Sequence, residues 1–263
     1  MEKGLTRLLR WVPVLLIAAL VAVGCASSVS VDPNVRNFQK VGVISVAGTY
    51  FTQMKIGFTV FANDQLETDI SELQLDRNYE VLVADGLRKT GLDAVPIATS
   101  PKFLTEMFRP STLQHVAFDL DSQWSNVEEE FKAVAKSNNV DALVLLVPRT
   151  SGDYFAGTNQ LLRGLGTYAR SSIRKMHLIS RLVVISGQTG KPIGHMPVSA
   201  VQPTTPGGPH QRGQPSIDID SSLSGIPFSS MTIEQKARLR QTALMIPLGA
   251  AINATIPQLL PAR

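Results

Sequence analysis

Val140-Asp-Ala-Leu-Val-Leu-Leu-Val147 constrains the fold more than any other segment. Its apolar residues do not alternate with polar ones, so both faces of the strand it predicts must be covered, which is the environment of a central strand with layers on either side. A helix is predicted just before it. Ser125 and Glu128 have capping-box spacing, Val127, Phe131 and Val134 share one face, Glu128 and Lys132 are spaced i,i+4, and Asn138-Asn139 ends the run.

The flanking segments extend the same plan. Lys40 to Val46 reads as a buried strand closed by Ala47-Gly48, and Thr49 to Phe61 as a second strand or an extended insertion. Leu75, Tyr79, Leu82, Val83 and Leu87 recur at helical spacing up to Gly91, and Leu92 to Ile97 is a short strand. Residues 100–120 lack periodicity and read as loop. Met176 to Ile185 and Lys191 to Val201 flank Ser186-Gly-Gln-Thr-Gly190 as a hairpin. Thr232 with Gln235 opens a long C-terminal helix striped by Ile233, Ala237, Leu244, Leu248, Ile252 and Ile256, with a kink expected at Pro247. Strands alternating with helices give an α/β fold: a single mixed sheet with flanking helices, a C-terminal hairpin and a long C-terminal helix. Two stretches read as irregular insertions, one near 149–176 and a Gly/Pro/Ser-rich one near 201–230.

The N-terminus carries an address. Lys3, Arg7 and Arg10 precede an apolar run from Trp11 to Gly24 that meets Cys25, the one cysteine of the chain. The run is too short for a membrane span, which needs roughly 20 apolar residues. A secretory signal with small residues at its cleavage site is one reading. Ala22-Val-Gly-Cys25 also resembles the lipobox of bacterial lipoproteins, with Ala22 in place of the usual leucine. That resemblance implies a signal peptide at 1–24, lipidation of Cys25 (a palmitate-bearing anchor), a tether at 25–37 and a periplasmic α/β domain at 38–263. Ala26, which is not Asp, resembles the pattern sent to the outer membrane of Gram-negative cells. Lipidation would also take the only thiol out of cysteine or metal chemistry.

The strand order resembles the small periplasmic α/β domains of envelope lipoproteins and assembly factors, including those of the Tol translocation β-propeller protein and the curli-export lipoprotein. It does so over Lys40–Gly48, Asn139–Val147 and the turn at Ser186–Lys191. The resemblance implies a role in the cell envelope.

The net charge of +4 and sequence pI of about 9.3 lie partly in the signal. Without Lys3, Arg7, Arg10 and Glu2, 22 basic and 20 acidic residues remain, which argues against a nucleic-acid partner. Catalytic motifs are absent. Gly187-Gln-Thr-Gly-Lys191 has two residues between its glycines and Pro192 after the lysine, so it is a turn and no phosphate loop. His115, His177, His195 and His210 show no metal-ligand spacing, although His177 and His195 fall on the two hairpin strands and His210 shares a loop with Asp218 and Asp220. No Gly-x-Ser-x-Gly elbow frames Ser151–Asp153; Asp119 with Asp121, or Glu128–Glu130, could in principle supply a two-carboxylate pair, but the Glu run fits the exposed first turn of its helix better. No catalytic residue, metal or cofactor is expected. The one charge asymmetry is Arg149, Arg163, Arg170, Arg174 and Lys175, a candidate surface for an anionic partner set among aromatic and aliphatic residues.

The expectation is a non-catalytic, lipid-anchored envelope protein: an accessory or structural component of a periplasmic or outer-membrane complex, held to the membrane by its lipid and bound to a protein partner. The alternatives are an envelope hydrolase with an unrecognised site and a carrier of a small hydrophobic ligand.

Overall fold

The computed structural model describes residues 37–57, 63–97, 101–109, 124, 126–199 and 215–260. They form one mixed sheet. Its strands are β1 (Lys40–Ser45), β2 (Tyr50–Lys55), β3 (Asp64–Asp69), β4 (Asp93–Pro96), β5 (Ala142–Pro148), β6 (Thr150–Gly152), β7 (Leu161–Arg170), β8 (Ile173–Ser186), β9 (Pro192–Pro197) and β10 (Ser216–Asp218). The main path runs β3-β2-β7-β8-β5-β1-β4, with β6 on β7 and with β9 and β10 on β8. The β1–β4, β1–β5 and β2–β7 pairs are parallel and the others antiparallel. The helices are α1 (Leu75–Arg88), α2 (Lys102–Met107), α3 (Glu128–Ser137), α4 (Ser221–Ser224), α5 (Ile233–Met245) and α6 (Leu248–Leu259).

All seven residues of β5 are buried, as its unbroken apolar run requires. Residues alternate across the sheet, so Ala142, Val144 and Leu146 face one layer while Leu143, Leu145 and Val147 face the other. The first layer is the main core. Leu75, Tyr79, Val83 and Leu87 of α1 pack there with Leu239 and Ala243 of α5 and Leu248, Ile252 and Ile256 of α6. Each such side chain contributes about 1.5–3 kcal/mol on burial, so this stripe secures the helices more than their intrinsic propensity does. The opposite face carries two separate apolar clusters. One joins Phe108, Trp124 and Phe131 to Leu145, Val183 and Ile185; the other joins Met54, Leu162, Tyr168 and Ile179 beneath Tyr154 and Phe155.

The hairpin forms between β8 and β9, and Gly190 sits in its turn at φ +71°, where a Cβ would collide with the Glu128 carbonyl. The C-terminal helix is capped by Thr232 and Gln235 as expected and is interrupted at Ile246-Pro247, where proline removes a backbone donor. Its first half does not follow the expected stripe. Ile233 is 84% exposed and Leu239 with Ala243 faces the core instead, because α5 starts away from the sheet and only α6 lies fully against it.

Other local expectations change as well, and Lys102–Met107, within the stretch read as loop, forms α2. Residues 149–176 are no irregular insertion: they supply β6, all of β7 and the start of β8, in the middle of the sheet. Gly166 is a packing requirement there, since a Cβ on it would collide with the Thr52 carbonyl of neighbouring β2. The described end of the 201–230 stretch is also ordered, with β10 paired to β8 and α4 capped by Asp220. Finally, α3 begins at Glu128 with no side-chain cap; Lys132 pairs with Glu129 at 2.6 Å while Glu128 reaches Lys191 at 3.8 Å. Ser125 lies outside the described residues.

Candidate functional site

The C-terminal end of a parallel strand beside a helix N-terminus is where open α/β sheets place ligands. Here that position holds carboxylates. Asp76, in the first turn of α1, accepts from Ser45 Oγ at 2.6 Å, the Gly48 N–H at 2.7 Å and Thr49 Oγ1 at 2.9 Å. Glu80, one turn on and 3% exposed, accepts from the Ser45 N–H and Arg77, both at 3.3 Å. Burial raises the pKa of Asp76, and the donors from Ser45, Gly48 and Thr49 oppose it. Burial pushes Glu80 up to about 7 against the same kind of opposition from Ser45 and Arg77. Tyr79 adds a buried hydroxyl, its pKa raised by burial and by Asp76. Both Asp76 oxygens accept from protein donors that fix the β1–β2 turn, so the cluster holds backbone. Sequence reading missed it. The signal was the i,i+4 spacing of Asp76 and Glu80 beside Tyr79 and Val83, which sets Glu80 on the buried stripe.

A second clasp closes the loop between β6 and β7. Asp153 accepts from the N–H groups of Phe155 (2.9 Å), Ala156 (3.1 Å) and Thr158 (3.3 Å), from Thr158 Oγ1 (2.5 Å) and from the Tyr168 hydroxyl (2.9 Å). Burial would raise its pKa, but the Thr158 hydroxyl and the other donors outweigh that and lower it. Phe155 packs between Tyr154, Tyr168 and His177 at centroid distances of 4.3, 5.2 and 5.8 Å. His177 is buried, and desolvation lowers its pKa to about 4 against the Arg163 backbone and the Asp153 charge. It stands six residues along β8 from the position facing His195, about 20 Å away, so the hairpin histidines do not meet.

The five basic residues expected to share a surface are dispersed by the sheet. Arg163 pairs with Glu67 at 3.3 Å, Lys175 with Asp218 at 2.8 Å, and Arg170 donates to the Ala156 carbonyl at 3.2 Å. Arg174 faces the layer opposite Lys175. The Arg149 carbonyl accepts from the Gly164 N–H at 3.1 Å, beside Arg163, and Arg149 lies next to Arg181, which sequence reading did not single out. Val147 faces Arg181 across the β5–β8 pair, and Arg149 lies two residues further on, its N–H bonded to the Ile179 carbonyl at 2.9 Å. The two guanidinium-bearing residues are therefore diagonal neighbours on one face, between the two apolar clusters. Both are half-buried, and Arg181 Nε is buried without a hydrogen-bond acceptor. Burial lowers the pKa of Arg149, while burial and then the neighbouring Arg149 charge lower that of Arg181 to about 10. Among the described residues no carboxylate forms an ion pair with either. The sequence signal was a lone charge at position 181 within the apolar run Met176–Ile185.

The remaining candidates resolve individually. Asp218 and Asp220, considered with His210 for a cation, pair with Lys175 and Arg238 instead. Among the described residues no group of three His, Cys, Asp or Glu converges on a metal position. His115, His210, Asp119, Asp121 and Cys25 lie outside the described residues. A cleft of about 550 Å³ opens at the foot of β1 and is lined by polar groups including Lys136, Asp141, Ser186 and Thr189, with Phe38 and Ile193. An apolar recess near Phe108 and Pro148 holds only about 20 Å³.

No protein-family model matches the chain, and no curated protein matches it. Among solved structures it is similar to a chain of a PelC dodecamer, a point variant, from Paraburkholderia phytofirmans, at 12% identity over 82% of this chain and 88% of that one. The TM-score is 0.24, a level at which the likeness says nothing about fold or function.

Proposed function

We propose that the protein is a lipid-anchored, non-catalytic component of the cell envelope, facing the periplasm from the outer membrane and acting as an accessory to a larger complex. The observation that carries this reading is the sequence leading to Cys25: basic residues, an apolar run too short to span a bilayer, small residues, then the only cysteine. The α/β body suits such a role in one respect. The buried carboxylates of Asp76 and Asp153 spend their oxygens on holding turns, and Glu80 accepts from a backbone N–H and Arg77.

Cys25→Ser decides the matter. In a bacterial host, the native chain should incorporate labelled palmitate and sediment with outer membranes, and the variant should do neither. Membrane retention of unlabelled Cys25→Ser protein would overturn the lipid anchor. For the accessory role, capture of the detergent-solubilised native chain should recover a partner in fixed stoichiometry; recovery of the chain alone would overturn that half of the proposal.

A further inference from the structure

Among the described residues, the Arg149–Arg181 pair has no carboxylate to balance it. The β5–β8 register fixes both residues on one face, where each loses part of its hydration to the apolar clusters on either side. Partly desolvated like charges are unfavourable unless something neutralises them. Elsewhere this chain supplies a carboxylate: Glu67 for Arg163, Asp218 for Lys175, Asp85 for Arg88 and Asp220 for Arg238. For Arg149 and Arg181 the described residues supply none, and Arg181 Nε, a donor held inside the surface, has no acceptor. Two planar guanidinium groups offer up to ten N–H donors, which suits a compact dianion able to accept several at once. A singly charged carboxylate would leave one cation uncompensated.

We infer that Arg149 and Arg181 form a binding site for an oxyanion of the phosphate class, either free phosphate or a phosphomonoester group. The strands hold the pair in place before binding, so little ordering cost is added when the anion arrives. The inference does not depend on lipidation of Cys25.

The test uses the detergent-solubilised full chain, titrated with sodium phosphate and separately with sn-glycerol 3-phosphate against sodium chloride at matched ionic strength. A saturable rise in melting temperature of about 3 °C or more beyond chloride is expected from at least one of them. Arg181→Gln should weaken that binding about tenfold or more, the scale of one charged contact. Because this change removes a partly buried charge, the variant should melt no lower than the native chain without phosphate, so lost binding cannot be mistaken for unfolding. Arg88→Gln, at an exposed pair with Asp85, should leave binding unchanged. Tighter binding of glycerol 3-phosphate would identify a phosphomonoester as the ligand, and equal or weaker binding would identify free phosphate. No saturable excess over chloride, or full binding by Arg181→Gln, would overturn the site.

Discussion

Ser45 Oγ donates to the Asp76 carboxylate across 2.6 Å, tying the last residue of β1 to the first turn of α1. With the Gly48 N–H and Thr49 Oγ1 on the same carboxylate, this bond holds the β1–β2 connection against the helix. Removing the acceptor strands three donors in a buried place, whereas removing one donor strands little. Asp76→Ala should therefore cost about 2–4 kcal/mol and Ser45→Ala about 1 kcal/mol in urea unfolding at neutral pH. Equal losses for the two variants would show that the carboxylate is no hub.

Gly166 lies where β7 runs beside β2, and any Cβ there meets the Thr52 carbonyl backbone. Backbone cannot move aside as a flexible side chain can. Gly166→Ala should thus separate the β2–β7 pair and cost about 3 kcal/mol or more, with faster amide exchange from Phe51 to Lys55. Native-like exchange in β2 would contradict the close approach.

These residues also explain what was legible in the sequence. The centre of the sheet and the helix α1 announce themselves because Ala142–Val147 and Leu75–Leu87 follow simple apolar patterns that tertiary packing then satisfies. Strand β7 does not, because Gly164, Gly166 and Thr167 are dictated by contacts with other strands, which a linear pattern cannot display. Strand β3, Asp-Gln-Leu-Glu-Thr-Asp, is an edge strand with almost no buried side chains and so carries little period. The Arg149–Arg181 neighbourhood depends on the pairing of residues 32 apart. Only the register brings them together, so residue spacing along the chain contained no sign of it.

The buried ring of His177 should remain neutral throughout the range where an exposed histidine charges. Its folded pKa, about 4, lies below the ordinary 6.5, so between those values the unfolded chain binds more protons. This group therefore removes stability as pH falls from about 6.5 towards 4. Proton NMR of the folded protein should show the His177 ring still unprotonated at pH 5.5. A titration midpoint above 6 would mean that the ring reaches water.

Glu80 has the opposite sign. Its folded pKa, about 7, is raised above the ordinary 4.5 chiefly by burial, so the folded chain holds a proton that the unfolded chain has released. The stability this group contributes is complete below pH 4.5 and is lost as pH rises through 7, after which the charged carboxylate stays buried at a cost. Glutamine keeps the shape and the oxygen that accepts from the Ser45 N–H but cannot ionise. Glu80→Gln should accordingly match the native chain near pH 4.5 and exceed it at pH 8 by on the order of 2 kcal/mol, read from urea midpoints at constant m. Asp76, joined to Glu80 through Ser45, is present in both proteins, and its charge is part of what raises Glu80, so their difference reads Glu80 together with that coupling. A difference that does not change with pH would show that Glu80 titrates in the folded chain as it does in the unfolded one.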